Sequence, residues 1–92
     1  MAYKLVFTES YLKRAKKFAK LHPEVRQLYQ KILLLLEQNP FHPSLRLHAL
    51  SGRLSGLHSV SINLSYRLTI ELLIDDEKII FINVGGHDDI YR

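Results

Sequence analysis

The sequence contains no cysteine, which removes disulfide staples, thiolate zinc sites and cysteine nucleophiles together. A chain of 92 residues must then hold one modest core without covalent help, and it has no room for separate cofactor and substrate domains. One domain spanning residues 1–92 is expected. Long apolar runs are missing too, since Ile32 to Leu36 is the longest and a bilayer span needs roughly 18 residues. The opening MAYKLVFTES lacks a secretory pattern, so a soluble protein of the reducing cytoplasm, with no membrane partner, is expected. There is no glycine-rich phosphate loop, HExxH pair, EF-hand loop or GxSxG elbow, which removes the motif support for nucleotide, zinc-protease, calcium and serine-hydrolase functions.

What is present is an ordinary globular composition, 47% hydrophobic and 24% charged, carrying an uneven charge. The net charge of +4 conceals a gradient: the chain up to Arg53 is strongly basic, with ten Lys/Arg against three acids, and the remainder is acidic. A pI near 9.5 with clustered lysines suits either a polyanion or an acidic protein partner.

Tyr3 to Phe7 reads as a first strand, and Thr8 or Ser10 supplies a hydroxyl to cap a helix. In that helix Tyr11, Leu12, Ala15, Phe18, Ala19 and His22 share one side, and Lys13, Lys16, Lys17 and Lys20 form a spine on the other. His22-Pro23 breaks it and starts a second helix, whose wide apolar stripe from Val25 to Leu36 suits burial between the first helix and a sheet. Phe41 to Ser44 is a linker, Arg46 to Leu50 a short strand and Ser51 to Ser55 a loop. Val60 and Ile62 alternate with serines in a strand that begins near Gly56, and Asn63 to Ser65 turns it into a hairpin. In Tyr66 to Ile74 the even positions are apolar, which displays Arg67 on the opposite face. Ile79 to Val84 is nearly continuously apolar, as for a central strand covered on both faces. The expected fold is α+β, in the order β-α-α-β-β-β-β, with a helical hairpin on one face of a mainly antiparallel sheet.

The polar groups left over are His48, His58, Arg67, His87 and Tyr91, with Arg46 and Arg53 near them in sequence. Their types suit metal-free cleavage of RNA. A ribose 2′-hydroxyl attacking its own phosphate needs a base, an acid for the departing 5′ oxygen and cations for the added charge. Histidine near neutral pH fills either proton role, and the arginine fork matches phosphate oxygens. His87-Asp88 is an adjacent pair of metal-ligand types, but metal phosphohydrolysis needs further histidines and carboxylates that the chain offers only in scattered places, so no metal is expected.

These segments resemble the RelE/ParE toxin superfamily of prokaryotic toxin–antitoxin systems over nearly the whole chain. LHALSGRLSGLHSVSI is similar to its leucine-glycine loop and strand, YRLTI to its arginine strand, and INVGGHDDIYR to its ending. Within it the YafQ-like branch is the nearest match. The resemblance implies a RelE-like fold and a cofactor-free mRNA interferase that cuts messages on the ribosome, leaves a 2′,3′-cyclic phosphate and is restrained by a cognate antitoxin. It assigns His87 as general acid, Arg67 as ligand of the scissile phosphate, His48 as base and Tyr91 as a stacking or orienting residue. Arg46, Arg53 and the lysines Lys13, Lys16, Lys17 and Lys20 would contact RNA. Two departures stand out: Ser61 and Ser65 occupy the places of a second histidine and an aspartate of the branch, and RelE's lysine pair has no counterpart. The departures keep His58 open as an alternative base. They also leave two other functions open, a ParE-like gyrase-binding toxin and a degenerate member that only binds antitoxin.

Overall fold

The computed structural model describes residues 2–86. The first strand, β1 (Lys4–Phe7), leads into helix α1 (Glu9–Leu21) through Thr8, whose hydroxyl accepts from the Tyr11 amide at 3.2 Å and donates to the Phe81 carbonyl at 3.0 Å. One side chain thus caps the helix and ties it to the sheet. At His22-Pro23 the chain leaves α1, makes a 3₁₀ turn (Pro23–Val25) and enters α2 (Arg26–Gln38), three residues later than the proline signal predicts. Two-residue β2 (His48–Ala49), β3 (His58–Ser61), β4 (Tyr66–Leu73) and β5 (Lys78–Gly86) complete the order β-α-α-β-β-β-β.

The sheet runs β1-β5-β4-β3-β2, with β1 parallel to β5 and every other pair antiparallel. The helices lie on one face. There Phe7, Tyr11 and Phe81 form an aromatic cluster with centroids 4.8–6.0 Å apart, and Phe18 meets Tyr66 edge-on at 5.1 Å. Val60, Leu68, Ile70 and Ile79 from the sheet and Ile32 and Leu36 from α2 complete the core. Tyr11 and Tyr29 share a 2.6 Å hydrogen bond between the two helices. The stripe on α2 is spent on this core except at Leu34, which stays exposed.

Three details differ from the expectation. The segment Arg46 to Leu50 pairs only at His48 and Ala49, because Arg46 takes a left-handed conformation (φ 49°, ψ 47°) that closes a 3₁₀ turn at Pro43–Leu45. The Ser51 to Ser55 loop also contains a 3₁₀ turn, Gly52–Leu54, whose Gly52 has the positive φ of 66°. The middle of the sheet is β4, while β5 lies between β1 and β4 and carries a bulge. Thr69 pairs with Asn83 but Ile70 with Phe81, so Ile82 has no partner opposite. The extra residue reverses the alternation of β5. Ile79 and Phe81 point toward the helices, whereas Asn83 and Gly85, of the same parity, pair with residues on the other face.

Candidate functional site

Cross-strand partners share a face, so the ladder registers fix what surrounds Arg67. One row across the sheet is Ser61, Arg67 and Gly85, and the next is His48, Ser59, Thr69 and Asn83. Both lie on the face away from the helices. His48 and Arg67 stand two strands apart and one row out of step, about 10 Å across and about 7 Å along the strands. The two residues thus share one face of the sheet, with Ser59, Ser61 and Thr69 between them. Arg67 is half-exposed and makes no hydrogen bond or ion pair with any described residue. Its row neighbours leave it room, since Ser61 turns its hydroxyl to the Asn63 carbonyl at 2.8 Å and Gly85 has no side chain.

His48 is exposed on β2, and its Nδ1 lies 3.2 Å from the carbonyl oxygen of Arg46. A carbonyl can only accept, so this bond requires the proton on Nδ1 and leaves Nε2 of the neutral ring bare. That is the form of a proton acceptor. The left-handed turn at Arg46 is what brings the carbonyl under the ring. Beside His48 in the same row, Ser59 and Thr69 are 0% and 2% exposed with hydroxyls that have no hydrogen-bond partner among the described residues.

His58 is placed differently. It pairs with Ala49 and Ile70, which puts it on the helix side with Val60 and Leu68, and its Nδ1 is buried without a partner among the described residues. The sheet therefore stands between His58 and Arg67. Arg46 and Arg53 are exposed, Arg53 on the 3₁₀ turn between β2 and β3. Lys13, Lys16, Lys17 and Lys20 are exposed on α1, across the sheet from the Arg67 row. His87 and Tyr91 lie outside the described residues. Among the described residues no group of three or more His, Cys, Asp or Glu is arranged to hold a metal ion, and no helix is long and apolar enough to cross a membrane.

Sequence reasoning passed over Arg14 and Asn83. Arg14 donates through Nη1 to the Ile82 carbonyl at 3.3 Å, and Asn83 accepts from the Val84 amide at 2.8 Å, both at the outer edge of β5 beyond the reach of β1. Nothing local in the sequence marks a bond between residues 68 positions apart.

Residues 3–92 match the profile of a family described as the bacterial toxin of the type II toxin–antitoxin system, YafQ. The chain belongs to this family. Solved structures agree on the fold. YafQ from E. coli superposes with a TM-score of 0.81 at 16% identity, over 98% of this chain and 99% of that one. The E. coli DinJ–YafQ toxin–antitoxin complex gives 0.79 at 18% identity, over the whole of both chains. The RelBE2 toxin–antitoxin complex of Mycobacterium tuberculosis gives 0.73 at 18%, over 95% of this chain and all of that one. Among curated proteins nothing matches. The family and the two-helix, five-strand architecture are those expected from the sequence resemblance.

Proposed function

We propose that this toxin is a metal-independent endoribonuclease that cuts messenger RNA on the ribosome in the cytoplasm. The observation that carries the reading is the placement of His48 and Arg67 on one face of the sheet, an imidazole with a bare Nε2 and a guanidinium without a partner among the described residues. In the proposed reaction His48 Nε2 takes the proton from a ribose 2′-hydroxyl, and its oxygen attacks the adjacent phosphorus. The bond from phosphorus to the 5′ oxygen breaks, leaving a 2′,3′-cyclic phosphate, and Arg67 holds the oxygens that gain charge. The departing oxygen needs a proton, a role we give to His87, which follows Asn83 and Gly85 in sequence at the same two-residue spacing. Tyr91 is the residue for stacking or orienting a base. Arg46 and Arg53, and the lysines of α1, supply phosphate contacts whose binding weakens with salt.

A cognate antitoxin is the proposed protein partner, since related toxins are found in DinJ–YafQ and RelBE2 complexes. A basic surface favours an acidic or amphipathic inhibitor segment. The test is a reconstituted translation reaction with a defined message. We expect the message to be cut only when it is being translated, with the new 3′ end closed as a cyclic phosphate. An intact message in the presence of the folded wild-type toxin contradicts the reading, and gyrase-dependent DNA breaks would replace it with a DNA-topology target.

A further inference from the structure

A groove of about 310 Å³ runs between α1 and the outer edge of β5, lined by Arg14, Lys17, His22 and Asn83 with an apolar floor that includes Phe18 and Val84. We infer that it is a second phosphate-binding subsite, which holds the RNA backbone next to the scissile link. The inference rests on the nuclease reading for the identity of its ligand.

Charge is the first argument. Among the described residues neither Arg14 nor Lys17 has a carboxylate within ion-pair distance, and the one ion pair near the groove joins His22 to Glu24 at 3.6 Å. Two cations on neighbouring turns of a helix and facing one groove repel each other, and an anion between them relieves this. The state of the strand edge is the second. Beyond Phe81, no strand among the described residues lies on the outer side of β5, and an open edge there would invite a partner strand. Two of its groups are already used: Arg14 donates to the Ile82 carbonyl, and the Asn83 side-chain oxygen accepts from the Val84 amide. The remaining guanidinium hydrogens, the lysine ammonium and the Asn83 amide nitrogen are donors that face the groove. Charged donors of this kind suit phosphate oxygens.

Continuity is the third argument. Gly85 lines the groove and is also the ladder partner of Arg67. No side chain at this position separates the two, so a strand held at Arg67 can pass over the β5 edge into the groove.

The test uses the full-length toxin and a fluorescent, uncleavable 2′-O-methyl oligoribonucleotide without ribosomes, titrated at several salt concentrations. The Arg14→Gln/Lys17→Gln variant should bind about tenfold or more weakly at low salt, with the salt slope reduced by about 1.4, as expected for two lost phosphate contacts on a single strand. Lys17→Gln alone, which leaves the Ile82 clasp intact, should remove about half of that slope. Lys31→Gln on α2 removes an equal charge elsewhere and serves as the reference. Affinity and slope equal to those of Lys31→Gln overturn the proposal. So does loss of binding to a polyglutamate peptide with RNA binding unchanged, which would make the groove an acidic-peptide site. If the double variant loses RNA affinity but the wild-type toxin cuts no translated message, the subsite stands and the nuclease reading falls. If the wild type cuts and the double variant binds RNA normally, the reverse holds.

Discussion

On the helix side of the sheet, Leu68, Ile70, Phe81 and Val60 are fully buried against α1 and α2, with neighbouring rings locked at contact distance. On the other face of the same sheet, Arg67, Ser61 and His48 point away from the helices, and the guanidinium has no partner among the described residues. The contrast separates two jobs within four strands. One face supplies apolar burial, which holds the fold, and the other carries the polar side chains, Arg67 and His48 among them. The bulge at Ile82 lets β5 serve both, because it gives Phe81 to the core and Gly85 to the Arg67 row.

If that separation holds, substitutions on the two faces should fail in different assays. The largest loss of stability is expected for Phe81→Ala, about 3–5 kcal/mol by urea unfolding, from lost burial and the cavity left among Phe7, Tyr11 and Ile70. Arg67→Ala should lower cleavage of translated message about 10²- to 10³-fold, while its unfolding midpoint stays close to wild type. A large stability loss in that variant would break the comparison.

Alkaline pH sharpens it. Burial pushes the Tyr11 hydroxyl well above the usual tyrosine range, and the Tyr29 hydroxyl bond adds to this; burial also raises Tyr29, partly offset by its bond to Tyr11. The folded state therefore keeps protons that the unfolded chain gives up near pH 10. The contribution of the pair is fully present below about pH 10 and is lost as pH rises beyond it, by at most about 1.4 kcal/mol per pH unit for each group. Unfolding at about pH 9 and about pH 11 should show a steeper fall for wild type than for Tyr11→Phe/Tyr29→Phe. The smallest effect expected is about 1–2 kcal/mol for Thr8→Ala, which loses the cap of α1 and its tie to Phe81, read as a shift in urea midpoint.

Much of this contrast was legible in the sequence. The even-odd alternation from Tyr66 predicts Leu68 and Ile70 inward and Arg67 outward, and Thr8 and the lysine spine predict α1. These are local signals with a long enough run to fix their phase. The alternation could not reveal that Thr69, on the outward phase, is buried all the same. Nor could it place His58, whose side depends on pairing with Ala49 and Ile70 rather than on its neighbours. The apolar run at Ile79 to Val84 hid the bulge, since isoleucine and valine look alike on either side of a phase change. Arg14 stood among the α1 lysines in sequence, and its contact with the edge of β5 is a purely tertiary fact.

The most direct test of the division between the two faces is to compare His48→Ala with His58→Leu for cleavage of translated message and for stability. The account predicts that His48→Ala loses most of the cleavage and keeps its unfolding midpoint, while His58→Leu keeps full cleavage and is no less stable, because it removes a buried nitrogen without a partner among the described residues. Full cleavage by a folded His48→Ala toxin, or its loss in a folded His58→Leu toxin, would contradict it.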